Sequence, residues 1–168
     1  MMTIPKLTLD TNLLHTYWKR RDKIEIVERL LSLAKQAKVD LAVTARVRED
    51  IPRLPLAKRL NELPELNINE TSSVTRLGFW VVGRDMLGDE AFENYWSTAC
   101  ELAKQRGKNL PDWRDWDHLH AHYLLQREVF LSWDRGIICL SGELKTHFGI
   151  VVMKPEEYLQ IFDADNGA

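Results

Sequence analysis

The sequence predicts an α/β fold in which a central, mostly parallel sheet lies between helical layers, within a single domain spanning 1–168. Three observations carry this expectation. Short apolar runs alternate with amphipathic helical stretches, the order that builds a parallel sheet. Acidic residues close several of those runs, where a parallel sheet gathers its strand ends. The chain has 168 residues, 45% hydrophobic and 29% charged, the size and balance of one globular domain.

The elements follow in order. Lys6 to Leu9 is a short run with a β-branched Thr8, closed by Asp10 and followed by helical pattern; it reads as a first strand with Asp10 at its carboxyl end. From Asp22 to Lys38, Ile24, Val27, Leu30, Leu31 and Ala34 recur at helical spacing, with Lys23, Glu28, Arg29 and Lys35 opposite, which predicts an amphipathic helix. Val39 to Thr44 is a second strand, and a polar helical turn through Arg48, Glu49 and Asp50 stops at Pro52. From Pro52 to Pro111 the pattern is less typical, with Leu66 to Ile68 either a short strand or an extended loop. Within that segment Asp89 to Arg106 reads as a helix whose Phe92, Tyr95 and Trp96 stripe serves the core, with Gly107 as the stop.

A further helix runs from Asp112 to Gln126, with Asp112 as N-cap and Asp115 in the first turn. Val129 to Trp133 is a buried strand ending at Asp134, Gly149 to Met153 is the last strand, and Pro155 to Phe162 is a closing helix. The tail from Asp163 onward is expected to fray.

Several function classes are disfavoured at this level. No apolar run approaches the roughly 20 residues that span a bilayer, which argues against a membrane protein. The opening MMTIPKLTLD lacks a basic segment followed by an apolar one, which predicts a cytoplasmic protein. Cys100 and Cys139 imply no disulfide framework. A net charge of -2 offers no general basic surface for nucleic acid.

The acids at the strand ends are more informative. Asp10 and Asp134 close strands, and Asp50 and Asp117 lie on helices that begin near the same rim. Each has an ordinary role when taken alone: a turn or helix cap for Asp10, a favourable helix-dipole position for Asp117, a solvated helix residue for Asp50, a turn residue for Asp134. Together, four carboxylates in one crevice repel unless protonated or bridged by cations. Hard divalent ions such as Mg²⁺ or Mn²⁺ prefer such oxygen ligands.

The stretch Leu9-Asp10-Thr11-Asn12-Leu13-Leu14 resembles the opening motif of the PIN-domain family, an Asp after the first strand followed closely by a polar residue. Thr44-Ala45-Arg46-Val47-Arg48-Glu49-Asp50-Ile51 resembles the second motif, Asp117-His118-Leu119-His120-Ala121 the third, and Val129-Phe130-Leu131-Ser132-Trp133-Asp134-Arg135 the fourth. The similarity covers roughly residues 6 to 51 and 113 to 160. The family's second motif usually carries Glu, whereas this register sets Asp50 there, with Glu49 adjacent.

The resemblance implies a three-layer α/β/α sandwich and a metal-dependent endoribonuclease acting on single-stranded RNA, with a toxin of a toxin-antitoxin pair as one version. It implies one or two Mg²⁺ or Mn²⁺ ions held by Asp10, Asp50, Asp117 and Asp134. Asn12, Thr44 and Ser132 are then expected to hydrogen-bond to the ligand oxygens, and Arg46, Arg48 and Arg135 to meet substrate phosphates. A cognate antitoxin and a homodimer are the implied protein partners. The alternative is a PIN-like module, inactive or weakly active, that binds RNA or protein.

Three other readings arise from the residues. His118 and His122 share a helix face at a spacing that can bind zinc, without the intervening Glu of a zinc protease. A phosphatase with an Asp nucleophile usually carries a second Asp two residues on, where this chain has Asn12. Trp113, Trp116 and Trp133 could stack on unpaired bases, although packing is the commoner role. The net charge is also compatible with RNA: with the four crevice acids set aside from the 25, 21 acidic residues face 23 basic ones.

Overall fold

The computed structural model describes residues 4–47, 59–60, 62–69, 94, 97–98, 101–102, 104–105 and 113–166. Its strands are β1 (Lys6–Leu9), β2 (Asp40–Thr44), β3 (Leu66–Asn69), β4 (Val129–Leu131) and β5 (Val151–Met153). The helices are α1 (Thr11–Trp18), α2 (Ile24–Lys35), α3 (Trp113–Leu124), α4 (Arg135–Ile138), α5 (Ser141–Phe148) and α6 (Pro155–Asn166). The five strands form one sheet in the order β3-β2-β1-β4-β5, and every pairing is parallel. Leu66–Asn69 is therefore a strand, the edge partner of β2. Asn94, Ser97, Thr98, Glu101, Leu102, Lys104 and Gln105 are helical, as expected for 89–106; the rest of that stretch lies outside the described residues.

The sheet is covered on both faces, as a parallel sheet requires. Leu7 and Leu9 of β1 and Leu131 of β4 join Leu13, Leu14, Val27, Leu30 and Leu159 in one core cluster. The preceding residue of β4, Phe130, points the other way and packs with Trp116, Leu119, Leu144 and Val152. This alternation along one strand divides the helices into two layers. The result is the three-layer α/β/α arrangement.

Two stretches differ from the sequence expectation. Gly149 and Ile150 do not begin the last strand; they close α5, a helix that the sequence pattern did not reveal. Gly149 sits at φ +69, with its N–H bonded to the Lys145 carbonyl and the Ile150 N–H to the Leu144 carbonyl. That is a Schellman stop, which glycine adopts without strain. The closing helix also continues past Phe162 to Asn166, and Asp163 pairs with Arg29 of α2 at 2.5 Å. The tail from Asp163 is thus helical through Asn166 rather than frayed.

At the amino end of the sheet Arg127 acts as a clamp. Its guanidinium donates to the carbonyls of Leu7 and Asp40 and to the Asp40 carboxylate, while its side chain is only 6% exposed. In the sequence Arg127 is no more than a residue just past the end of a helix. Arg127→Met should destabilise the fold by about 2 kcal/mol, because the carbonyls lose charged donors in a buried setting. Urea unfolding measures this directly, and a variant within about 0.5 kcal/mol of wild type would show that water replaces the clamp.

Candidate functional site

The order of strands reverses between β1 and β4. Ligand crevices of open parallel sheets lie at such a switch point, outside the carboxyl ends of the strands. Asp10 follows β1 directly, and its backbone N–H bonds to the Leu131 carbonyl of β4. Asp134 lies three residues past the end of β4. The topology thus brings together two acids far apart in the chain.

Asp10 has N-cap backbone geometry for α1, yet its side chain makes no capping bond. Its carboxylate turns instead into a hydrogen-bonded cluster. Asn12 Nδ2 donates to Asp10 Oδ2 at 2.8 Å and lies 3.2 Å from Ser132 Oγ, and the Ser132 hydroxyl donates to the same Asp10 oxygen. Ser132 Oγ in turn accepts the Asp134 N–H at 2.9 Å. Ser132 is fully buried and Asp10 is 7% exposed. Burial pushes the Asp10 carboxyl above its ordinary range, assisted by the negative charge of Asp134 and opposed by the Ser132 bond, His118 and Asn12.

Asp134 is a working cap. Its Oδ1 accepts from the N–H groups of Gly136 and Ile137 at 2.6 and 3.1 Å. A Cβ at position 136 would come within 2.9 Å of that oxygen, so glycine there keeps room for the carboxylate.

Asp117 lies on α3, paired with Arg46, which follows β2 by two residues. Arg46 Nη2 is 3.1 Å from Asp117 Oδ2, and the two side chains are 7% and 3% exposed. The neighbouring His118 bridges the end of β2 and the start of α1, its Nδ1 2.5 Å from Thr44 Oγ1 and its Nε2 3.5 Å from Thr11 Oγ1. Thr44 therefore contacts His118 rather than a carboxylate. Asp50, Glu49 and Arg48 lie outside the described residues.

A cleft of about 540 Å³ opens beside this cluster, lined by Asn12 and Asp134 together with His15, Lys19, Arg21, Trp133 and Arg135. Of its basic residues, Arg135 was expected from the sequence, whereas Lys19 and Arg21 belong to a short charged run of the kind that usually forms a solvated face, and His15 carried no assignment. A signal was present: Asn12, His15 and Lys19 recur at helical spacing, so one face of α1 and the residue that caps its end carry them. Trp133 is held at the cleft wall by its indole N–H, which donates to Glu156 Oε2 at 2.7 Å, and by Lys23 Nζ at 5.4 Å from the ring centre. Trp116 is fully buried in the core, and the Trp113 side chain is outside the described residues.

The donor set fits a hard divalent cation at one point. Asn12 Oδ1 is buried without a hydrogen-bond partner among the described residues, next to the Asp10 carboxylate. Carboxylate and amide oxygens are the ligands Mg²⁺ and Mn²⁺ take. Among the described residues no three His, Cys, Asp or Glu side chains are grouped so as to hold an ion. Among those residues, too, no helix is long and apolar enough to cross a membrane. No known protein family matches the sequence, and no curated protein matches it significantly.

Proposed function

We propose that the crevice between β1 and β4 is the centre of a PIN-like, Mg²⁺- or Mn²⁺-dependent endoribonuclease that hydrolyses phosphodiester bonds of single-stranded RNA in the cytoplasm. The observation that carries the reading is the cluster of Asp10, Asn12, Ser132 and Asp134 opening onto a cleft with Lys19, Arg21 and Arg135 on its walls. An acidic pocket beside a basic path is the electrostatic layout that phosphodiester cleavage needs. The cations hold the backbone, and the acids gather the metal beneath it.

Asp10, Asn12 Oδ1 and Asp134 would hold the ion, which when bound would lower the pKa of a water and neutralise charge on the phosphate. The protein's own work is orientation. Ser132 and Asn12 fix the Asp10 carboxylate from one side, so its remaining oxygen is aimed without further ordering at binding. Lys19, Arg21 and Arg135 take phosphates, and Trp133, already held by Glu156, offers a fixed aromatic ring to an unpaired base.

A second reading has its own support. The ion pair of Asp117 with Arg46 and the capping role of Asp134 are structural uses of acids that a nuclease would spend on metal. They favour a PIN-like RNA- or protein-binding module without activity. Incubation with an unstructured oligoribonucleotide in Mg²⁺, Mn²⁺ or EDTA separates the two. The nuclease cleaves with metal only, whereas the module binds and leaves the RNA intact. In the nuclease, the triple variant Lys19→Ala, Arg21→Ala, Arg135→Ala should raise KM about tenfold with kcat little changed, since these side chains bind ground and transition states alike. An unchanged KM would take the cleft out of the substrate path.

A further inference from the structure

We propose that Glu156 is a positioning residue of the cleft: through its bond to Trp133 it fixes an aromatic platform that takes an unpaired nucleobase of the RNA strand. This rests on the ribonuclease reading above and deepens it, because it assigns a residue outside the cleft to substrate selection.

Trp133 is fixed from several directions. It packs against the core cluster that contains Leu9 and Leu131. Its indole N–H donates to Glu156 Oε2 at 2.7 Å, and Lys23 Nζ lies 5.4 Å from the ring centre. Lys23 also donates to the other carboxylate oxygen, Glu156 Oε1, at 2.5 Å. Both oxygens are thus engaged, one by the ring and one by the cation beside it. Of these three side chains only Trp133 lines the cleft. Glu156 and Lys23 therefore hold the ring from outside, and what Trp133 presents to the cleft is a fixed apolar surface.

Fold stability gives little reason for this arrangement. The side chains of Lys23 and Glu156 are 51% and 28% exposed, and ion pairs at such exposure contribute little to folding. Lys23 does not serve its helix end either. It stands at the N-cap of α2 with φ +73, a left-handed position that suits glycine, and its side chain makes no capping bond. Partial burial raises the Glu156 carboxyl, but the bonds from Lys23, Trp133 and its own backbone N–H outweigh it and hold the pKa below the ordinary range. The indole N–H consequently meets a charged acceptor, the stronger kind of hydrogen bond.

A ring already fixed loses less freedom when a base settles on it. Base stacking on an aromatic side chain tolerates any sequence but needs an open π-face, which a paired strand does not offer. With Lys19, Arg21 and Arg135 on the same walls, the cleft combines backbone charge with a base surface. That is the chemistry of a single-stranded polynucleotide rather than of a duplex.

The test is anisotropy titration of a labelled, unstructured oligoribonucleotide with the full-length protein, in EDTA and again in Ca²⁺, with thermal unfolding of each variant as the folding control. Glu156→Gln and Glu156→Ala remove the same charge, but only the glutamine can still accept the indole N–H. Glu156→Gln should bind within about twofold of wild type, and Glu156→Ala about fivefold more weakly than Glu156→Gln, a part of what stacking contributes. The same pair is then compared on RNAs made abasic at each position in turn: at the position that meets Trp133 the gap between the variants should close. Equal binding by the two variants, or a gap that is the same on every abasic RNA, would overturn the role of Glu156 and leave the ribonuclease reading intact. Absence of RNA binding by wild type in both buffers would overturn both.

Discussion

Asp10→Asn is expected to lower metal-dependent RNA cleavage by about a thousandfold, equivalent to about 4 kcal/mol of barrier, while leaving the metal-free protein at least as stable as wild type. The opposite directions have one cause. Asp10 is 7% exposed, and burial pushes its pKa above the ordinary 3.8, so its charged form is penalised in the native state. Asparagine removes the charge but keeps an oxygen where Ser132 Oγ and Asn12 Nδ2 donate. The fold gives up a desolvated charge and loses few hydrogen bonds, whereas the metal proposed for this crevice would lose a charged ligand. Paired activity assays and melting curves in EDTA measure both. Cleavage that persisted in Asp10→Asn would remove this crevice from the chemistry, and a melting temperature well below wild type would mean that the carboxylate is a structural keystone.

Acidification should weaken the fold through His122. Its Nδ1 is 2.8 Å from Thr8 Oγ1, and its ring meets Phe130 edge-on at 5.6 Å; the residue is 1% exposed. Burial, with a contribution from the Arg127 charge, pushes its pKa down from 6.5 to about 4. Between those values the unfolded chain takes up a proton that the native state refuses, so stability is full above pH 6.5 and declines as the pH falls towards 4. At about 1.4 kcal/mol per pKa unit, the loss over this window is about 3 kcal/mol. His122→Asn, whose amide can still reach Thr8 and carries no charge at any pH, should show a flatter profile in urea unfolding between about pH 7 and pH 4. Parallel profiles for the two proteins would assign the acid sensitivity to other groups.

How far the sequence could be read depended on the range of the interaction. Lys6–Leu9 was legible as a strand because a short run with a β-branched Thr8 closes on Asp10 before helical pattern begins, and Leu7, Thr8 and Leu9 are all buried, as in a central parallel strand. Helix α5 was not, because in SGELKTHF only Leu144 is buried and there is little periodicity to detect. At the site, the acids following β1 and β4 were legible from strand ends alone, and the sheet order does bring Asp10, Asn12, Ser132 and Asp134 together. Asp134 was legible as a turn residue before Arg135 and Gly136, but not as the cap of α4, a helix of only four residues. The Arg46 to Asp117 pair and the contact of His118 with Thr44, 74 residues apart, were not. No local pattern encodes which side chains meet across a sheet.

The adjacency of β1 and β4 has a consequence in time. Asp10 and Ser132 touch although 122 residues separate them, and the Asp10 backbone is held by Leu131. During synthesis Asp10 is made well before Ser132, and it lacks this neighbour until the fourth strand is made. The Ser132 backbone is then held by Met153 of the last strand, so even this contact is secured late. A nascent chain surrounded by ribosomal and messenger RNA thus carries an unfinished crevice until β4 and β5 have been made, and the order of strands itself delays the proposed activity until then.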